Sequence, residues 1–187
     1  MNARAQTLRQ DGPERRVHLM EGDFQVSEDS AVILTTTLGS CVATCLRDPV
    51  RGIGGMNHFL LPGGDGMSGP EAVRYGAYSM ELLINALLAA GARRERLQAK
   101  LFGGGQLNEG LSNIGGQNAD FAETFLARER IELCGGSLRG VHARRIRFWP
   151  VSGRATQLTL IKTEQAIFAR EAKTAPVRPE QGNVELF

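Results

Sequence analysis

The stretch Thr35–Pro62, TTTLGSCVATCLRDPVRGIGGMNHFLLP, decides how this chain is read. Just before and into it, Ala31 to Thr37 is β-branched and apolar, which predicts a buried strand that Leu38-Gly39-Ser40 interrupts. Cys41 to Leu46 reads as the next strand. Asp48-Pro49-Val50-Arg51-Gly52 has turn chemistry, with Asp first, Pro next and Gly closing, and Ile53 to Leu61 returns as a strand. The result is a hairpin with Cys41 behind a Gly-Ser turn on one arm and His58 on the other. A turn centred between Pro49 and Val50 makes opposed residues sum to 99 and sets Cys41 against His58. A five-residue loop through Gly52 makes the sum 100 and sets His58 against Val42. Directly opposed side chains lie ~5 Å apart at Cβ.

That spacing suits acyl transfer. A thiolate attacks carbonyl carbon, and an adjacent imidazole lowers the thiol pKa and later protonates the leaving group. Gly39 and Ser40 let the backbone approach closely, so amides there can support an oxyanion. The plain alternative is packing, since cysteine is also a small hydrophobe of protein cores. Alternation puts Cys45 on the same face as Cys41, where packing accounts for it. Cys134 and His142 stand among glycines and arginines without a partner legible in sequence, and His18 reads as structural or exposed.

Outward from the hairpin, Val17 to Val26 reads as one strand and Pro62 to Gly66 as loop. A helix is predicted from about Pro70 to Ala90, with Pro70 at its first turn and Gly91 as its stop. Met80, Leu83, Ile84, Leu87 and Leu88 form its apolar stripe. Leu97 to Phe102 is a short strand, and a second helix covers roughly 117–131. Strands follow at Ile131 to Cys134, Arg144 to Pro150 and Gln157 to Lys162. The reading is α+β, one domain of mixed strands with two main helices. Residues 1–15 form a polar arm, 16–165 one domain and 166–187 a flexible tail poor in apolar anchors.

The 187 residues suffice for one sizeable core, and 42% hydrophobic with 22% charged residues is a globular balance. The net charge of +2 gives no reason to expect nucleic-acid binding. The clusters Arg93-Arg94-Glu95-Arg96 and Arg144-Arg145-Ile146-Arg147 read as solvated turns and exposed strand faces. No apolar run is long enough for membrane insertion, and the start lacks the apolar core of an export signal. With three cysteines and three histidines no metal site is expected, and no cofactor. The 23 glycines match no phosphate-binding pattern and read as tight turns and close packing. Reduced thiols and a cytoplasmic location are the expectation.

The run LGSCVATCLRDPVRGIGGMNHFLLP resembles the CheD family of chemotaxis proteins. RYGAYSMELLINALLAAGARRERLQAKLFGGG, NIGGQN and CGGSLRGVHARRIRFWPVSG resemble later segments of that family in the same order, across about Val17 to Lys162. The resemblance implies deamidation of glutamine side chains in methyl-accepting chemoreceptors by a cysteine–histidine–threonine triad. It also implies a layered sandwich of mixed β-sheets with two main helices, similar to the deamidase domain of cytotoxic necrotizing factor toxins. Position by position, the nucleophile falls on Cys41, the base on His58 and the threonine on Thr35, with Thr36 and Thr37 alongside offering the same hydroxyl. Gln117 stands where the family commonly has arginine. The family also implies a partner, a CheC-type phosphatase of the response regulator, so a mainly regulatory binding module is the alternative function. A cysteine peptidase or transglutaminase would share the first half-reaction.

Overall fold

The computed structural model describes residues 13–61, 70–107, 113–161 and 184–187. In chain order its elements are β1 (Arg15–His18), β2 (Phe24–Ser27), β3 (Val32–Leu38), β4 (Val42–Asp48), β5 (Ile53–Phe59), α1 (Pro70–Ala89), β6 (Gln98–Gly103), α2 (Ile114–Glu129), β7 (Glu132–Leu138), β8 (Ala143–Phe148), β9 (Ala155–Leu160) and β10 (Val184–Leu186). They build two mixed five-stranded sheets, ordered β1-β3-β8-β9-β10 and β2-β5-β4-β6-β7. Parallel pairs β1–β3 and β6–β7 sit beside otherwise antiparallel neighbours. The class is α+β, as the sequence indicates.

Alternation along the strands sorts the side chains into two cores. Leu34, Leu38, Ala43, Cys45, Met56, Phe102, Ile146 and Phe148 fill the space between the sheets. Val42, Leu46, Ile53, Phe59 and Leu101 point the other way and meet Met80, Leu83, Ile84 and Leu87 of α1 and Leu126 of α2. The order of layers is therefore sheet, sheet, helices. α1 starts at Pro70 and is closed by Gly91, whose positive φ of 93° lets Gly91 N and Ala92 N bond back to Leu88 O and Leu87 O.

Several expectations change. Val17 to Val26 is not one strand. β1 and β2 belong to different sheets, and the Glu21-Gly22-Asp23 turn between them crosses the sandwich. The hairpin pairs Val42 with Phe59 and Asp48 with Ile53, so opposed residues sum to 101, not 99 or 100. The reason is Asp48, whose Oδ1 accepts from Val50 N and Arg51 N and lengthens the turn. α2 begins earlier than predicted, at Ile114, because Asn113 caps it by accepting from Gly116 N. β7 continues beyond Cys134 to Leu138.

The basic clusters are also more engaged than expected. Arg96 pairs with fully buried Asp48, and Arg94 with Glu129. Arg144 is buried and donates to the carbonyls of Ser137 and Arg139. Within the predicted tail, β10 pairs antiparallel with β9, and Phe187 packs edge-on against Phe102 at 5.4 Å. The rest of that tail from 166 to 183, the first 12 residues of the arm and the Pro62-to-Gly66 loop lie outside the described residues.

Candidate active site

The register sets the site. Ala43 faces His58 across β4 and β5, so Cys41, two residues earlier, is a diagonal neighbour of His58 on the same face. That face looks into the space between the sheets, where Cys41 lies against the apolar cluster and is half-buried. Behind Cys41, Gly103 has a φ of 108° and brings its Cα so close that an added Cβ would lie 2.1 Å from Cys41 O.

The hydroxyl that meets His58 belongs to Thr36, not Thr35. Thr36 Oγ1 lies 2.8 Å from His58 Nδ1 and 2.9 Å from Leu19 O. A carbonyl only accepts, so the hydroxyl proton goes to Leu19 O and Thr36 Oγ1 accepts from His58 Nδ1–H. This fixes the tautomer and leaves Nε2 as the bare, basic nitrogen. Nε2 is buried and has no hydrogen-bond partner among the described residues. Thr35 points to the opposite face of its sheet, where Oγ1 lies 3.3 Å from His18 Nδ1 and 3.4 Å from Val17 O. Period-two alternation allows only one of two adjacent threonines to face the other sheet.

The turn after β1 supplies the rest. Leu19 O holds Thr36, Gly22 N donates to His58 O at 2.8 Å, and His58 N donates to Asp23 O at 3.0 Å. From the same turn, the exposed Glu21 accepts a hydrogen bond from the Cys41 thiol at Oε2, over 3.8 Å. Sequence reading missed Glu21 because it ran one strand through the turn; the Glu-Gly-Asp order was the available cue.

The electrostatics differ from the expected thiolate–imidazolium pair. Burial, and then the charge and hydrogen bond of Glu21, push the Cys41 thiol up to about 11. Burial likewise lowers the His58 pKa, although the Leu19 backbone and Glu21 oppose it. At neutral pH both groups are uncharged, and roughly one thiol in 10⁴ is ionised. A neutral thiol beside a neutral base is competent when proton transfer accompanies attack.

The Gly39–Cys41 loop is held firmly. Gly105 N donates to Gly39 O and Gly104 N to Cys41 O, both at 2.8 Å, while Asn118 Nδ2 donates to Ser40 O at 2.9 Å. The amide N–H groups of Ser40 and Cys41 meet no backbone acceptor of another described residue, and that of Cys41 faces its own Sγ. Cys45 is fully buried, as packing predicts, and burial raises its thiol pKa far out of range of reaction. Cys134 is exposed and donates to Ala99 O. No group of three His, Cys, Asp or Glu residues suited to a metal occurs among the described residues. None of their helices is long and apolar enough to cross a membrane. A cleft of about 560 Å³ lined by Arg47, Lys100, Arg154 and Phe187 lies further along β4 at Cys45 and shares no residue with this site.

Comparison with known proteins agrees with the motifs. The family model described as "CheD chemotactic sensory transduction" matches residues 60–159. A protein of Caulobacter sp. (strain K31) is 54% identical over 94% of this chain and 95% of its own length. One of Acidiphilium cryptum (strain JF-5) is 56% identical over 92% of this chain and 94% of its own. Both are named "Probable chemoreceptor glutamine deamidase CheD". Among solved structures, the hypothetical protein YfiH of Bacillus licheniformis matches with a TM-score of 0.41 and 12% identity over 67% of this chain and 59% of that one. With identity above one half along nearly the whole length, this chain belongs to the CheD family.

Proposed function

We propose that this protein deamidates glutamine side chains of methyl-accepting chemoreceptors, as a protein-glutamine glutaminase that releases ammonia. The observation that carries the reading is the bare Nε2 of His58, buried without a partner on the face that also bears Cys41. An orphaned buried nitrogen costs stability, and a catalytic role accounts for its being kept. The names of the relatives supply the substrate class.

In this mechanism His58 Nε2 takes the thiol proton as Cys41 Sγ bonds to the side-chain amide carbon. Backbone N–H groups at Ser40 and Cys41 support the oxyanion, with Gly39 giving the loop its close approach. The C–N bond breaks, the proton on Nε2 passes to the nitrogen, and ammonia leaves a thioester on Cys41. His58 then accepts a proton from water, hydroxide adds to the thioester, and glutamate departs as Cys41 regains its proton. Thr36 orients His58 throughout, the third role in such triads. That arrangement, rather than any fold comparison, is what supports likeness to the deamidase domain of cytotoxic necrotizing factor toxins. A cytoplasmic location goes with a chemoreceptor substrate, whose signalling part lies there.

The test is peptide mass spectrometry of a chemoreceptor signalling fragment incubated with the protein and with Cys41→Ala. Glutamine-to-glutamate conversion by the first alone is expected. A folded protein that converts no glutamine in any receptor of its host would overturn the reading and favour a regulatory partner of a CheC-type phosphatase.

A further inference from the structure

The NIGGQN segment has no part in the triad, yet its last residue reaches the nucleophile loop. Asn118 on α2 is fully buried. Its Nδ2 donates to Ser40 O at 2.9 Å, and its Oδ1 accepts from Leu61 N at 2.7 Å. One side chain thus ties the peptide in front of Cys41 to the backbone three residues beyond His58.

A trans peptide is planar, and its C=O and N–H point in opposite directions. Every described peptide bond is trans. Ser40 O is drawn toward α2, so Cys41 N–H, in the same plane, points away from α2. The flanking planes cannot turn to compensate, because Gly39 O and Cys41 O are held by Gly105 N and Gly104 N. Cys41 N–H meets no acceptor of another described residue and faces its own Sγ. A fixed N–H beside the attacking sulfur, bonded to no other residue, is what a tetrahedral oxyanion needs.

We propose that Asn118 is a positioning residue that orients the Ser40–Cys41 peptide so that Cys41 N–H receives the oxyanion. The inference rests on the reading of Cys41 as the nucleophile. Asn118 touches neither substrate nor reacting atoms; it acts through the peptide it holds.

Two reactions of the same thiol separate this role from simple support of the fold. Iodoacetamide alkylates Cys41 by displacement at a saturated carbon and develops no oxyanion, whereas deamidation does. Asn118→Leu keeps the size and adds no charge, but removes the donor to Ser40 O. With this variant kcat for deamidation is expected to fall about 10- to 100-fold, with KM and the Cys41 alkylation rate at the same pH each within about 3-fold. Asn118→Ala, read by the same ratio of rates, serves if the leucine variant does not fold. An unchanged kcat, or deamidation and alkylation falling together, would overturn the inference. Failure of the wild type to deamidate any receptor glutamine is a different result, since it removes the proposed function whatever Asn118 does.

Discussion

Replacing Thr36 by valine removes one oxygen and keeps the β-branched shape that a strand favours. The lost hydroxyl made two buried bonds, at 2.8 Å to His58 Nδ1 and 2.9 Å to Leu19 O. His58 is only 7% exposed and Thr36 not at all, so water cannot replace the missing partner. An unsatisfied buried polar group costs about 1–3 kcal/mol, which lowers Tm by roughly 2–12 °C in a chain of this size. The imidazole also loses the contact that fixes its tautomer, and deamidation is expected to slow by about 10- to 100-fold. Thr35→Val is the matched control. Its hydroxyl has only long contacts, at 3.3 and 3.4 Å on the outer face, and its loss is expected to cost under about 0.5 kcal/mol and less than twofold in rate. Differential scanning calorimetry and a deamidation time course on the two variants decide the matter. A Thr35→Val enzyme that is dead beside an active Thr36→Val enzyme would refute the assignment of the third residue.

Four further perturbations follow from other contacts in the structure. Glu21→Gln removes the anion that, after burial, holds the Cys41 pKa up, so the midpoint of a pH series of iodoacetamide alkylation should move below about 11; an unmoved midpoint contradicts the contact. Asp48→Ala leaves Arg96 without its buried partner and should cost about 3–5 kcal/mol by urea unfolding. In the wild type, burial opposes the Asp48 charge but donors from Arg51, Arg96, Arg93 and Val50 hold its pKa at about 2 against 3.8 ordinarily. A folded pKa below the unfolded one means its contribution is full above about 4 and is lost as pH falls toward about 2, which acid-titrated unfolding midpoints can follow. Gly103→Ala should displace Cys41 and cost over about 1 kcal/mol, whereas Gly135→Ala, with no neighbour nearer than 3.7 Å, should be close to neutral in thermal melts.

The sequence made most of the elements legible because their signals are local, whereas the layering came from the family resemblance. The α1 stripe and the Asp-Pro-Gly turn each fix an element within a few residues, and motif order gave Cys41 and His58. Register was not legible, because it hangs on two side-chain bonds of Asp48 that shift the pairing by two residues. The third residue was recoverable in principle. Val32, Leu34 and Leu38, at even positions of β3, join the core between the sheets and Thr36 shares their face, although Ile33 is buried on the other. Carrying the threonine over from a family pattern by counting back from the cysteine lands on Thr35 and misses that face. The contact of Asn118 was beyond sequence reading for a different reason. It reaches the loop around Cys41 from a distant element, and no local pattern records such a contact.

The central claim is that Cys41 carries the acyl group of a receptor glutamine. The most direct measurement is intact and peptide mass spectrometry of the protein, acid-quenched within the first turnover on a chemoreceptor fragment. The account predicts a thioester adduct of receptor peptide on Cys41, absent in Cys41→Ala and removed by hydroxylamine. Glutamate forming at full rate with no adduct on Cys41, and forming equally with Cys41→Ala, would contradict it.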